Sequence, residues 1–257
     1  MNQGLEDSTS AALRRNISMV VEYDGTNYHG WQCQPNGVTV QEVIQQKLAK
    51  ILNHPVKVYA AGRTDAGVHA FGQVINFFTE RAIDTAALAR GLNGLLPTDI
   101  RIKNAREVDG SFHARYSAIS KSYVYSLFNA PYVPPFHVRY VWHIPYRIDS
   151  GRMHQTMQEI VGTHDFSSFK KKDEIYKGHE RKVLRAGVRR RGPFIYIFVE
   201  ATGFLRYMVR NIVGTLVLVG EGRISQEDFI AILQSRDRVN AGPTAPPQGL
   251  FLRRIKY

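Results

Sequence analysis

Apolar positions along the chain repeat with two periods, and the way they alternate predicts the order of elements. Ile17–Tyr23 (ISMVVEY) is rich in β-branched residues and closed by Asp24-Gly25, the pattern of a strand and its turn. Val40, Ile44, Leu48 and Ile51 then recur at helical spacing. Thr39 and Glu42 supply a capping-box signature before this helix, and Asn53-His54-Pro55 stops it. Val56–Ala61 and Gln73–Thr79 predict two more strands, Asp84 caps a second helix to about Gly91, and Asp99–Val108 predicts a fourth strand. The order is β-α-β-β-α-β, the ferredoxin-like unit.

The remainder repeats that order without a visible sequence repeat. Ser117–Phe128 predicts a strand and Ser150–Val161 a helix, followed by a hairpin of Val183–Arg191 and Phe194–Ala201 turning at Gly192-Pro193. Helices at about Arg206–Val219 and Ser225–Leu233 precede a last strand at Leu250–Lys256. Ala130–Pro135 (APYVPP) reads as a stiff, extended connection. The expected fold is α+β, with two ferredoxin-like halves sharing a central antiparallel sheet and a ligand cleft between them. Residues 1–15 are expected to be a mobile tail, 16–109 one subdomain and 110–257 the other.

Composition narrows the partner. The 257 residues hold 34 Lys and Arg against 22 Asp and Glu, a net charge of +12. Residues 1–108 are nearly balanced, at 11 against 10, whereas 109–257 hold 23 against 12. A basic excess concentrated in one half points to a polyanion. The densest run, 170–191, has ten Lys and Arg, among them Lys170, Lys171 and Lys172, against three acids. Such a run is either a solvated face or a set of phosphate contacts. A single cysteine, Cys33, excludes an intrachain disulfide and a Cys-rich zinc site, and it fits a reducing compartment. The most apolar stretch, Val209–Val219, carries Arg210 and is about half a membrane span. With a polar Met1–Arg15, the expectation is a soluble, cytoplasmic protein.

Chemistry concentrates in Gly62-Arg63-Thr64-Asp65-Ala66-Gly67-Val68-His69. A plain hairpin connection needs two to five residues, roughly. This segment instead places an acid, a base and a histidine at the end of an apolar strand. Asp65 beside Arg63 and two glycines reads either as an Asx turn or as a carboxylate held ionised by a cation and backbone amides. Arg210 lies in an almost wholly apolar helix, where it must snorkel or find a partner. Lys121, Tyr123 and Tyr125 share one face of their strand.

Six segments carry a resemblance. They are YDGTNYHGWQ (23–32), GRTDAGVHA with GQV (62–74), FHARYSA (112–118), GTHDFSSF (162–169), GFLRYMVRNIVGTLVLVG (203–220) and AGPTAPPQGLFL (241–252). Together they resemble, in order and over residues 17–257, the tRNA pseudouridine synthase A family. The resemblance implies conversion of uridine to pseudouridine at positions 38, 39 and 40 of the tRNA anticodon stem-loop, by a homodimer. That isomerisation breaks C1′–N1 and joins C1′ to C5, so it requires no cofactor and no metal. Asp65 is then the catalytic carboxylate, either attacking C1′ or abstracting the C2′ proton. Arg210 becomes its partner, and Tyr123 the residue that stacks on the base or takes the C5 proton. Leu250 lines the uracil pocket. Arg63 fills the space left by the flipped nucleotide or grips its phosphate. After the SSF segment, relatives generally have a shorter stretch, so the loop from Lys170 onward departs from the family pattern.

Other chemistries are weaker. His164, Asp165, Ser167 and Ser168 are too close in sequence to form a triad readily, and no Gly-x-Ser-x-Gly is present. His69 and His113 read as structural. Two alternatives remain open: a silent RNA-binding protein, against which no RNP segment is found, and a nucleobase glycosylase using the same aspartate.

Overall fold

Ile17, Met19, Val21 and Tyr23 point into the core from β1 (Arg15–Tyr23), the strand predicted from their alternation. The structure is a computed structural model that describes residues 14–172 and 178–257. Most of the expected tail and residues 173–177 of the basic run lie outside the described residues. β1 is followed by α1 (Val40–Leu52), β2 (Tyr59–Ala60), β3 (His69–Thr79), α2 (Thr85–Leu95) and β4 (Ile100–Val108). β5 (Ser120–Asn129), β6 (Trp142–Ile144), α3 (Ser150–Gln158), β7 (Gly162–Asp165), β8 (Glu180–Arg191) and β9 (Phe194–Ala201) come next. α4 (Met208–Gly220), α5 (Gln226–Ser235) and β10 (Leu250–Lys256) complete the chain order.

The caps explain where the helices start. The Thr39 Oγ1 accepts from the Glu42 amide at 3.4 Å, so the side-chain-to-backbone half of the predicted box forms. Asp84 accepts from the Ala87 amide at 2.7 Å and Asp149 from those of Gly151 and Arg152. At α5 both halves of a capping box close between Ser225 and Asp228.

All ten strands among the described residues form one sheet, in the path β4-β1-β3-β10-β5-β9-β8-β7. β2 adds to β3, and β6 to β5. Within it β4-β1-β3-β2 and β10-β5-β9-β8 follow the same ferredoxin-like order. The expected antiparallel sheet must be corrected to a mixed one. Where the two orders meet, His69–Ala70 of β3 run parallel to Phe251–Leu252 of β10, and β6 is parallel to β5. β10 is thus antiparallel to β5 on one edge and parallel to β3 on the other. Two other expectations change. The predicted strand Val56–Ala61 shrinks to two residues, Tyr59–Ala60, because the Val58 amide and carbonyl are taken by the Gln45 and Gln41 side chains of α1 instead of by β3. Ala130–Pro135 bends rather than extends: the His137 amide donates to the Pro134 carbonyl at 2.9 Å and a short 3₁₀ turn, 138–140, follows.

That turn returns to the seam. The Tyr140 hydroxyl donates to Asp24 Oδ2 at 2.8 Å, and His69 Nε2 lies 3.2 Å from the carbonyls of both Arg139 and Gln248. With its Nδ1 accepting from the Gly25 amide at 3.0 Å and its ring stacked on Phe251, His69 ties four segments together. Burial pushes its pKa down, more than Asp24 and the two carbonyls push it up, so it is held neutral. One hydrophobic core runs through both halves, from Ile17 to Ile255. Among the described residues no helix is long and apolar enough to cross a membrane.

Candidate active site

The Gly62–Val68 loop sits at the start of β3 and is held by backbone contact with the segment after β1. The Trp31 amide donates to the Thr64 carbonyl at 3.1 Å, and the Gly67 amide to the Tyr28 carbonyl at 3.3 Å. Tyr23, buried against Trp31, shares a 2.8 Å hydrogen bond with Thr64 Oγ1. Two glycines make this approach possible. A Cβ on Gly25 would lie 2.0 Å from the Val68 carbonyl oxygen. Gly30 has a φ of +87°, and a Cβ there would lie 2.7 Å from the Thr64 oxygen. The YDGTNYHGW segment is therefore the mould in which the aspartate loop is set. Its tight turn is closed by main chain, the Val68 amide donating to the Asp65 carbonyl at 3.1 Å. The Asp65 carboxylate is left to point elsewhere.

It points at α4. Arg210 Nη1 donates to Asp65 Oδ2 at 3.1 Å, and Arg206 Nε lies 3.8 Å from Oδ1. The Arg210 side chain is 12% exposed, so this pair is largely withdrawn from water, where its attraction is less screened. Arg210 does not snorkel. Its Nε donates to the Ala245 carbonyl at 2.7 Å, and its guanidinium lies 4.8 Å from the centre of the Tyr207 ring. Tyr207 caps α4 in a left-handed conformation (φ 66°), a strained choice for a tyrosine that lays its ring between Arg206 and Arg210.

Behind this pair the start of α4 is fixed by a fully buried asparagine. Asn211 Nδ2 donates to the carbonyls of Phe169 and Lys170, and its Oδ1 accepts from Thr244 Oγ1 at 2.6 Å and from Arg238. One side chain thus joins three segments of the second half around Arg210. The Lys171 amide also donates to the Arg206 carbonyl at 2.8 Å. Lys170, Lys171 and Lys172 accordingly border the site. Farther along the basic run, Arg190 is spent on the fold: it donates to Asn129 Oδ1 at 2.7 Å and to the Ile148 carbonyl.

β5 forms the floor. Tyr123 is buried, with its ring edge-on to Phe204 at 4.9 Å and its hydroxyl 3.8 Å from where a Gly62 Cβ would stand. Burial pushes its phenol pKa far up, with the charge of Asp65 adding to the effect, so it keeps its proton. Leu250, also buried, opens β10 opposite Tyr125, two cross-strand pairs from Tyr123. The Tyr125 hydroxyl donates to the Pro246 carbonyl at 2.7 Å, consistent with a packing residue. Arg63 is exposed at the mouth of the loop. His164 and Asp165 make no triad: Asp165 accepts from the Ser167 amide and hydroxyl in a local turn.

Sequence reasoning placed Lys121 on the Tyr123 face but gave it no role. Its Nζ donates to the Ala61 carbonyl, directly before Gly62, and stands 3.8 Å from the same would-be Cβ as the Tyr123 hydroxyl. It fastens the root of the aspartate loop to the opposite half. Burial, and then the charge of Arg115, bring its pKa down to about 8 from 10.5. Its folded value lies below its unfolded one, so the cost is fully present below pH 8 and is relieved as pH rises from 8 to 10.5. That cost is roughly 2–3 kcal/mol after discounting for solvent. Lys121→Met should therefore be no less stable than the wild type at pH 7. It should also lose the wild type's gain in stability between pH 8 and 10, while turnover falls about 10-fold or more. Denaturant melts across pH, together with single-turnover rates, check this. A variant that is much less stable at pH 7 with normal turnover would give Lys121 a purely structural role.

A carboxylate from one half, held by arginines from the other over a buried tyrosine, suits attack on or deprotonation of a bound ring carbon. The sequence model of a family described as tRNA pseudouridine synthase matches residues 19–117 and 156–257. Asp65 and Arg210 fall within the matched stretches, and Tyr123 between them. A tRNA pseudouridine synthase A of Thermoanaerobacter sp. (strain X514) is 47% identical over 243 residues, covering 95% of this chain and 100% of its own. That of Geotalea uraniireducens (strain Rf4) is 43% identical, with the same coverage. That of Aeromonas hydrophila subsp. hydrophila is 44% identical over 241 residues, covering 94% of this chain and 90% of its own. With more than half of its length matched by the family model and relatives of this similarity end to end, the chain belongs to the tRNA pseudouridine synthase family.

Proposed function

We propose that this protein isomerises uridine to pseudouridine at positions 38, 39 and 40 of the tRNA anticodon stem-loop, with Asp65 as the catalytic carboxylate. The observation that carries the reading is the Asp65–Arg210 pair, a carboxylate and a guanidinium drawn from opposite halves and aligned at 3.1 Å. In the nucleophilic route a carboxylate oxygen bonds to C1′ as the C1′–N1 bond breaks and the uracil leaves as an anion. The base turns, C5 attacks C1′, and the aspartate is released. The proton lost from C5 is balanced by the one gained at N1, so nothing external is consumed. In the glycal route the same carboxylate takes the C2′ proton and later returns it. Both routes need Asp65 ionised, which a guanidinium at this distance favours.

Tyr123 stacks on the uracil, worth on the order of 1–3 kcal/mol. A phenol that keeps its proton suits stacking and hydrogen-bond donation better than taking the proton from C5. Leu250 lines the same pocket. Arg63, exposed on the loop, meets the flipped nucleotide's phosphate or fills the gap in the stem. Lys170, Lys171 and Lys172 contact phosphates nearby. The labour divides between residues 16–109, which bring the carboxylate, and 110–257, which bring the arginines, the tyrosine and most of the charge. A homodimer working in the cytoplasm without metal or cofactor completes the reading, on the family resemblance.

The test is direct. Unmodified tRNA transcripts incubated with the protein and no added cofactor should acquire pseudouridine at positions 38 to 40, with chain length and base content unchanged. Release of free uracil would instead support the glycosylase reading, and binding without modification the silent one.

A further inference from the structure

Three aromatic rings stand in a column beside the site and are used by neither the core nor the chemistry above. Tyr59, at the start of β2, lies 5.0 Å from His113, and His113 lies 4.4 Å from Tyr116, measured between ring centres. A cation flanks each end. Lys57 Nζ is 5.4 Å from the Tyr59 ring centre, and the Arg115 guanidinium is 5.6 Å from that of Tyr116. The outermost ring, Tyr116, is 77% exposed. An exposed tyrosine is ordinary by itself. A row of three rings, tilted by 54° and 36° to one another and flanked by two cations, is less so, because it offers a π face and phosphate-binding charge together.

The column is rigid. Ala114, within the loop that carries it, is fully buried. Its amide donates to Asn76 Oδ1 at 2.9 Å, and its carbonyl accepts from the Tyr257 hydroxyl at 2.8 Å. His113 Nδ1 accepts from the Arg115 amide, and the His113 amide donates to Ser117 Oγ. A ring held this way loses little freedom on binding. The column is also continuous with the site. From Tyr59 the chain runs through Ala61, which Lys121 holds, to Asp65, six residues away and at most about 20 Å. Beyond Tyr59 the edge opens into a cavity of about 290 Å³ lined by Arg14, His54, Lys57, Phe78 and Glu80 among others. There the Arg14 guanidinium lies 4.3 Å from the Phe78 ring centre.

We infer that the Tyr59–His113–Tyr116 column is a stacking subsite for an unpaired nucleotide of the substrate RNA, next to the target uridine, with Lys57 and Arg115 meeting the adjoining phosphates. This rests on the reading of the chain as an RNA-modifying enzyme, since it names where a second nucleotide of that RNA is held. Stacking tolerates any base, so the subsite would steady the strand without specifying its sequence.

Binding is measured in an Asp65→Asn background, which separates affinity from turnover, using fluorescence anisotropy with an unmodified tRNA transcript at several salt concentrations. Tyr116→Ala should weaken binding roughly 5- to 150-fold, the equivalent of one stacked base. Tyr116→Phe, which keeps the ring, should retain the affinity that the alanine loses. Lys57→Ala with Arg115→Ala should make the salt dependence shallower by roughly 1.4 in the log–log slope, as expected for two contacts on a single strand. Tyr132→Ala removes a ring of equal exposure elsewhere and should leave affinity unchanged. Unaltered thermal unfolding of Tyr116→Ala would confirm that the loss is not one of folding. Binding by Tyr116→Ala within two-fold of its parent, or an equal loss with Tyr132→Ala, would overturn the inference. Neither result would touch the assignment of Asp65, which stands or falls on pseudouridine formation.

Discussion

Asp65→Asn should form no measurable pseudouridine, a loss of roughly 10⁴-fold or more, equivalent to about 5 kcal/mol of transition-state stabilisation. The substitution is nearly isosteric, and the amide oxygen can still accept the Arg210 hydrogen bond, now at 3.1 Å from the carboxylate. The loop should keep its shape, because its turn is closed by main chain between Asp65 and Val68 and moulded against Gly25 and Gly30. What disappears is the negative charge, and with it the nucleophile or base. RNA affinity should stay within a few-fold of the wild type, or rise slightly as one repulsive charge is removed from the cleft. Single-turnover assays with saturating tRNA, alongside a binding isotherm, measure both quantities, and Asp65→Ala guards against deamidation of the asparagine. Full turnover by either variant would end the catalytic assignment.

Arg210→Met should be the next most damaging change, lowering the rate at saturating RNA by on the order of 10²–10³-fold. Methionine fits the apolar surroundings of α4, so the helix should form. Lost are the bond to Asp65 Oδ2 and the link from Nε to the Ala245 carbonyl, which fixes the arginine's own direction. Arg206, 49% exposed and 3.8 Å from Oδ1, leaves some positive charge nearby and keeps the loss smaller than that at Asp65. Arg210→Lys separates the two contributions. It restores a charge but cannot donate to Asp65 and Ala245 in the same fork geometry, so it should recover only part of the rate. A rate loss confined to low RNA concentration, with the saturated rate normal, would make Arg210 a binding residue rather than a partner of the carboxylate.

Much of this was legible in the sequence, for identifiable reasons. Asp65 stood out because an acid, a base and a histidine crowded a connection that needed only a turn. Arg210 stood out because an apolar helix cannot ignore a guanidinium. The ferredoxin-like order follows from local periodicity, and the starts of α1 and α2 from their Thr39 and Asp84 caps. What was missed depends on distant neighbours. Nothing near residue 70 announces that it lies beside residue 252, so the parallel seam and the mixed sheet were hidden. β6 and β7 are three and four residues long, too short for alternation to mark. The left-handed Tyr207, which lies against Arg206 and Arg210, is a conformation that its residue type does not announce. Lys121 was seen on the correct face, but only the burial of its ammonium and its bond to Ala61 give it a task. The basic run suggests a phosphate contact for Arg190, whose hydrogen bonds instead go to Asn129, Ile148 and Ser150.

Of the ten strands, β10 is the last to emerge during synthesis, yet it lies in the middle of the sheet between β3 and β5. A growing chain that has made Asp65, Tyr123 and Arg210 still lacks the strand that sets the first half in register with the second. The open edges of β3 and β5 must wait, exposed, for Leu250–Lys256 to be inserted. Contacts of such long sequence separation form slowly and late. The pairing of the two halves at the seam therefore depends on residues 250–256, the one strand that both β3 and β5 share.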